Sequence, residues 1–221
     1  MTDFNFTIIG SGAGGSSAAY ELLQNGYSVE VLEEGIKYEN QKKNTLEGIA
    51  ALWRNNGINL FQGDPILNFG EGKSVGGSTV INGGVIAQTH EKILQEWDNF
   101  LGENFFSSED FYNECKKIEN KLVFKENINQ ETLSNSSRIL INAAKKKNYK
   151  TQPAKLAFNN LNINHNSPFG CHKGNKRSLD KNYHKEIFSL GGKISSGTKV
   201  LKIIKNKNKI TEILIQNTLS K

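Results

Sequence analysis

At 221 residues the chain is long enough for one large domain or two small ones, burying about 70% of the unfolded surface. Its net charge of +6 comes from lysines scattered through Lys/Asn/Ile-rich sequence, as at Lys145–Lys147 and in the Lys205–Lys209 turn. No aromatics interleave with a basic stripe, so a solvated surface is a better account than a polyanion site, and no nucleic acid is expected as a partner. Hydrophobic residues make up 36%, mean hydropathy is −0.52, and no apolar run reaches the ~20 residues of a membrane-spanning helix. The amino terminus carries Asp3 where a signal peptide would be positive. Two cysteines, Cys115 and Cys171, cannot build a disulfide framework. Both points indicate a cytoplasmic protein.

Phe4, Phe6, Ile8 and Ile9 begin a short apolar run of buried-strand character. The run ends in Gly10-Ser11-Gly12-Ala13-Gly14-Gly15, a G-x-G-x-x-G turn. A helix should follow with Ala18, Ala19, Leu22 and Leu23 on its inner face, stopping at Asn25-Gly26. Val29, Val31 and Leu32 form a second strand with Glu33 at its end, 23 residues after Gly10. Gly10 permits the tight turn, Gly12 lets backbone approach a pyrophosphate, and Gly15 lets the helix pack close to the sheet. The helix start offers N–H groups and a positive dipole end to phosphate. Glu33 would accept from a ribose 2′-hydroxyl and repel a 2′-phosphate. The bare glycine pattern also suits a structural turn; the strand, helix and acid around it favour a dinucleotide.

Residues 36–63 are polar, with one apolar helical stretch around Ile49–Trp53, and read as a segment covering the face of the domain. The next glycine-rich stretch runs from Gly70 to Val85, with Gly76-Gly77 and Gly83-Gly84 flanking Ser78 and Asn82. By itself it could be a turn-rich hairpin. Glycine pairs also bring backbone N–H groups against a flat or charged ligand, which Ser and Asn side chains can orient.

With both motifs in place the chain resembles the glucose–methanol–choline (GMC) family of FAD-dependent oxidoreductases, whose G-G-S-[ST]-x-x-N-G stretch is matched by Gly76–Gly83. The resemblance implies an α/β, Rossmann-like FAD/NAD(P)-binding domain of GMC type, incomplete, with the start of an α+β substrate domain. It implies that the turn Gly10, Ser11, Gly12, Ala13, Gly14 and Gly15, with Glu33, holds the ADP half of FAD. Gly76, Gly77, Ser78, Asn82, Gly83 and Val85 would hold its middle and ring. The arginine that often follows in the family has no counterpart in Val85–Glu91. The family's covalent attachment through a histidine in this stretch has none either, so non-covalent FAD is expected.

From 90 to 125 the pattern is helical, with Ile93, Leu94, Trp97 and Leu101 sharing a face and Gly102 ending the segment. Ser107 should cap a second helix whose Phe111, Cys115, Ile118 and Leu122 recur every three or four residues. On that stripe Cys115 reads as a core thiol in preference to a nucleophile. Trp97, Gly102 and Glu119 extend the resemblance. A third helix over about 134–147 should turn Ile139, Leu140, Ala143 and Ala144 inward.

Residues 151–176 are loop-like. Their His165, Cys171 and His172 lack the second pair of ligands a metal site requires, so no metal is expected. Gly170–Ser178 is similar to a segment of the family's long-chain alcohol oxidases and cholesterol oxidases. A helix from Ser178 should bury Leu179, Tyr183, Ile187 and Leu190 and end at Gly191-Gly192. Strands Thr198–Ile204 and Ile210–Ile215 follow. By the resemblance, Val200 meets the adenine through its backbone.

The domains expected are 1–90, the FAD-binding core and covering segment; 91–165, beginning the substrate domain; and 166–221, returning to the FAD-binding domain. The family's catalytic pair, a histidine with a His or Asn partner, lies in its carboxyl-terminal third, which this chain does not match. His90, His165, His172 and His184 then read as surface histidines, and no catalytic residue is expected. Two functions remain open. One is the FAD-binding part of an alcohol oxidoreductase, completed by a complementary carboxyl-terminal polypeptide, in which hydride passes from a small-molecule alcohol to flavin N5. The other is a non-catalytic truncated product or nucleotide-binding module. On either reading residues 1–221 alone should neither oxidise alcohols nor hold FAD well.

Overall fold

Strand β1 (Phe6–Ile9), helix α1 (Ala13–Gln24) and strand β2 (Val29–Leu32) open the computed structural model, which describes residues 4–37, 45–122, 133–159 and 175–219. The chain divides into two units, Met1–Gly83 with His165–Lys221, and Gly84–Asn164. In the first, β1 and β2 pair in parallel from Phe6↔Val29 to Ile9↔Leu32. Helix α1 ends at Asn25, and Gly26 takes the left-handed φ of +82° that stops helices. Its buried stripe is Ser16, Ala19 and Leu23, spaced as one helical face. Ala18, expected inward, lies one position off that stripe and is exposed.

The covering segment supplies α2 (Thr45–Leu52), which buries Leu52 completely against Val80 and Ile81 of the second glycine-rich stretch. Backbone bonds from Arg54 N to Glu71 O (2.8 Å) and Lys73 N to Leu52 O (2.7 Å) fasten the two stretches together. Between them β3 (Asn59–Phe61) and β4 (Leu67–Phe69) pair antiparallel, a ribbon that hydropathy alone did not indicate.

The second unit begins with β5 (Val85–Ile86) and continues through α3 (Glu91–Leu101), α4 (Glu109–Leu122), α5 (Asn135–Lys146) and β6 (Lys155–Leu156). Val85 pairs with Leu156, and both lie within this unit, which starts at Gly84. His90 caps α3 by accepting from Lys92 N (3.2 Å), and Gly102 ends it at φ +70°. Ser108 caps α4 through Phe111 N (3.2 Å); Ser107, the expected cap, is engaged by Asp98 instead. Cys115 on α4 is half-buried. On α5 the half-buried face is Ser137, Ile141 and Ala144, and Ile139 and Leu140 point outward, 70% and 68% exposed. Two stripes on this helix are apolar, and only contact with the rest of the unit chooses between them. Glu119 ties α4 to β6 and to the segment after β5, accepting from Lys155 Nζ (2.6 Å) and Gln88 Nε2 (2.8 Å); the lysine holds its carboxyl below the usual range.

Asp98 organises the turn between α3 and α4. Its carboxylate accepts from the Phe105, Phe106 and Ser107 amides at 3.1, 2.8 and 2.8 Å, and from Ser107 Oγ at 2.5 Å. Burial pushes this carboxyl up, but the Ser107 hydroxyl and the amides more than offset that and hold it below its ordinary value. A depressed carboxylate stabilises the fold above its unfolded pKa of about 4 and ceases to as pH falls through the lower folded value. The Phe106 and Ser107 amide resonances should therefore titrate together with an apparent pKa below about 4, and Asp98→Asn should abolish that step. Titration at the ordinary aspartate pKa would contradict the arrangement.

The chain returns to the first unit with a 3-10 turn at Leu179–Lys181, α6 (Tyr183–Ser189), β7 (Lys193–Ser195), β8 (Thr198–Asn206) and β9 (Lys209–Asn217). Leu179, Tyr183 and Ile187 are buried as expected, whereas Leu190 at the end of α6 is 39% exposed. β7 is three residues of no marked pattern, yet it pairs in parallel with β2, giving the sheet order β1-β2-β7. Ala19, Leu23, Val29, Val31 and Ile187 form the core between sheet and helices, the four larger side chains each contributing about 1.5–3 kcal/mol if fully buried. β8 and β9 form a separate antiparallel hairpin turning at Lys207-Asn208.

Candidate functional site

The strand-to-helix turn is built as its spacing requires. Gly10 sits at φ +92° and donates to Leu32 O (2.8 Å), placing the turn at the carboxyl end of the sheet. A Cβ on Gly15 would lie 1.9 Å from Gly10 O, so α1 approaches the turn as only glycine allows. A Cβ on Gly12 would meet nothing closer than Gly77 Cα at 3.9 Å; what it would fill is the cleft. Helix α1 has no side-chain cap and no acid in its first turn, leaving a positive end for an anion.

Ser11 joins the two glycine-rich stretches. Its N–H and hydroxyl both donate to Glu33 Oε2 at 2.8 Å, and its Oγ accepts from Gly76 N at 3.0 Å. Glu33 Oε1 accepts from Gly35 N at 2.7 Å. The Glu33 backbone is gripped as well, donating to Ser195 O (2.9 Å) and accepting from Thr198 N (2.7 Å). Three of about four acceptor positions on this carboxylate are taken by the chain itself, and among the described residues one on Oε1 remains. Gly77, at φ +56°, lies so close to the first turn that a Cβ there would sit 2.8 Å from Gly12 Cα. The two stretches thus meet backbone to backbone.

Above this junction is a cleft of about 560 Å³. Of the residues expected to bind, Gly10, Gly12, Ala13, Glu33, Gly77, Ser78 and Val200 line it. Ser11 and Gly76 are buried in the junction, Gly15 packs against Gly10, and Gly14 is exposed. Asn82 and Gly83 are exposed outside the lining, and Val85 belongs to β5 of the other unit. Lys176, 1% exposed, donates to Val80 O (3.0 Å) and Asn82 O and so holds the second stretch from below.

The lining also includes Glu34, Arg54 and Thr198, which no motif announced, together with Glu71 and Thr79 of the second glycine-rich stretch. The Arg54 guanidinium pairs with Glu34 and, at 2.9 Å, with Glu71; the bond to Glu34 raises its pKa above the ordinary value. Arg54 comes from the covering segment, where sequence carries no hint of which ligand face it joins. Val200 reaches the cleft because β8 starts at the bond between Thr198 N and Glu33 O.

Of the four histidines, His90 is the exposed cap of α3, and His165 and His172 lie outside the described residues. His184 is the correction: expected at the surface, it is 2% exposed, because the face of α6 that buries Tyr183 and Ile187 against α1 carries it inward too. Among the described residues no group of His, Cys, Asp and Glu could hold a metal ion; Cys171 lies outside them.

A parallel sheet, a glycine turn opening a helix, and an acid ending the second strand define a Rossmann-type dinucleotide-binding unit. The chain belongs to the GMC oxidoreductase family, whose sequence model matches residues 4–221. The amino-terminal domain of that family is the FAD-binding domain. Long-chain-alcohol oxidase FAO3 of Arabidopsis thaliana is 26% identical over 212 residues, 91% of this chain and 27% of that protein. Cholesterol oxidase of Acinetobacter baumannii is 30% identical over 122 residues, 48% of this chain and 22% of that protein. Among solved structures, pyridoxine 4-oxidase from Mesorbium loti superposes with a TM-score of 0.65 at 14% identity, over 96% of this chain and 46% of that one. Formate oxidase from Aspergillus oryzae gives 0.63 at 17%, over 99% and 43%. The chain therefore spans about a quarter of the long-chain-alcohol oxidase and less than half of these two solved structures.

Proposed function

We propose that this chain is the FAD-binding amino-terminal part of an oxidoreductase acting on the CH–OH group of a small-molecule alcohol, with FAD held non-covalently. The observation that carries the reading is the junction of the two glycine-rich stretches beneath the cleft, joined through Ser11, Gly76 and Glu33. An NAD-only domain has no use for the second stretch. The residues fit the cofactor: Gly12 leaves open a space at the cleft that a side chain would fill, Gly77 lets the second stretch close directly on Gly12, and the uncapped start of α1 faces the same cleft. The start of α1 would hold the pyrophosphate, the remaining acceptor position on Glu33 Oε1 would take a ribose hydroxyl, and the Val200 backbone would meet the adenine. Ser78, Asn82 and Gly83 serve the middle and ring.

FAD would supply the acceptor for the hydride leaving the alcohol's carbon. The base that takes the hydroxyl proton is not provided by the described residues around the cleft, where no histidine stands. A complementary carboxyl-terminal polypeptide is the partner proposed to supply it, with the cytoplasm as the compartment. Among the described residues no helix is long and apolar enough to cross a membrane.

The holoprotein, purified as the cell makes it, should show flavin absorption bands. Acid denaturation followed by filtration should leave no colour with the protein, since no histidine lies between Gly76 and Val85. Colourless protein that binds NAD tightly would overturn the FAD reading, and yellow retained on the filter would overturn the non-covalent one. Bound flavin that no primary alcohol or sterol reduces without oxygen would favour a non-catalytic module.

A further inference from the structure

His184 is a buried titratable group that the proposed function leaves unused. It stands on α6, directly behind the strand-to-helix turn. Its Nε2 lies 2.8 Å from Ser16 Oγ and 3.3 Å from Ser11 O, and Ser16 Oγ itself donates to Ser11 O at 2.7 Å. Ser11 and Ser16 are fully buried, so none of these groups has water as a substitute partner. The proton inventory then determines the tautomer. The single Ser16 hydroxyl proton is given to Ser11 O, so Nε2 must carry a proton and donate to Ser16 Oγ. Burial pushes the His184 pKa down against the Ser11 carbonyl, Asp180 and Glu33, which pull it up, and the ring is neutral at neutral pH. Asp180 is occupied by Ser178 Oγ and Lys181 Nζ, and on the α1 side the ring meets Ser16, with Tyr20 edge-on to neighbouring Tyr183.

Ser11 O and Gly12 N–H belong to one peptide plane, and in a trans peptide they point in opposite directions. Drawing the Ser11 carbonyl back toward Ser16 and His184 aims the Gly12 N–H forward, and Gly12 lines the cleft. We propose that His184 is a positioning residue for the dinucleotide: through Ser16 it holds the Ser11–Gly12 peptide so that the Gly12 N–H meets the pyrophosphate. The inference rests on the dinucleotide reading of the cleft, and adds to it a residue from the far end of the chain that acts on the phosphates alone.

The test compares His184→Leu, which fills the space without a donor, with His184→Gln, whose amide nitrogen can replace Nε2. Dissociation constants of FAD, ADP and adenosine are measured on the full holoprotein after flavin removal. His184→Leu should weaken FAD and ADP about 10-fold, the loss of one well-placed hydrogen bond, and leave adenosine unchanged. His184→Gln should recover most of that loss. Equal weakening of adenosine and ADP would mean that His184 only supports packing, and wild-type affinity in His184→Leu would end the proposal outright. If His184→Leu fails to fold, the Gln variant and the ¹⁵N resonances of wild-type His184 still decide: a proton on Nδ1 instead of Nε2 overturns the arrangement. Wild-type protein that binds no FAD would count against the proposed function, whereas ADP, adenosine and the tautomer still test His184 separately.

Discussion

Gly15→Ala is expected to destabilise the first unit by about 3 kcal/mol or more and to abolish cofactor binding. The added Cβ would sit 1.9 Å from Gly10 O, 3.1 Å from Gly10 C and 3.2 Å from Ile8 Cγ2. The first two are backbone atoms, so no side chain can swing aside. Relief requires either lifting α1 off β1, which opens the core of Ala19, Leu23, Val29 and Val31, or rebuilding the turn at Gly10. The gain in helix propensity, about 1 kcal/mol for Gly to Ala, does not offset this. Gly14→Ala is the internal control, because a Cβ there meets nothing within 4 Å and the residue is exposed. It should be neutral or stabilising by up to about 1 kcal/mol. The urea midpoint should therefore fall in Gly15→Ala and stay level or rise in Gly14→Ala. A Gly15→Ala protein as stable as Gly14→Ala would mean that α1 does not approach the turn this closely.

Glu33→Ala is expected to act on the fold before it acts on the ligand. It removes the acceptor of the Ser11 and Gly35 amides, and leaving two such donors unsatisfied costs about 2–6 kcal/mol in total. The Ser11 hydroxyl also loses its acceptor, and with it the link to Gly76 N loosens. Glu33→Gln should rescue only part of this. Its one carbonyl oxygen can face Ser11 or Gly35, and its NH₂ then confronts an N–H on the other side. The Ala variant should unfold earlier in urea even without cofactor, with the Gln variant intermediate. Unchanged apoprotein stability in Glu33→Ala, with only ligand affinity reduced, would mean that the carboxylate serves the ribose alone.

The contrast between α1 and His184 shows where sequence reasoning succeeds. Gly10, Gly12 and Gly15 are legible because their demands are local: a positive φ, a bare backbone and a close approach one helical turn away. The boundaries of α1 and α3 follow from the same kind of signal, a periodic apolar face that ends at Gly26 or Gly102. The second glycine-rich stretch was legible as backbone that another segment approaches closely; Gly77 and Ser78 line the cleft, and Asn82 and Gly83 stand outside it.

What the chain by itself determined, then, is its βαβ opening, its helix stops and the two backbone motifs, because each is specified by residues within a turn or two of one another. Tertiary structure alone decided the rest. The three residues of β7 become a strand only because β2 offers them an edge, and the ribbons β3–β4 and β5–β6 are likewise too short to carry a period. The stripe α5 buries, the entry of Arg54 into the cleft, the inward bonds of Glu33 and the burial of His184 behind Ser11 each depend on a partner distant in sequence. A carboxylate or an imidazole has the same propensity whether it meets ligand, solvent or a buried amide, and only the packed neighbours determine which.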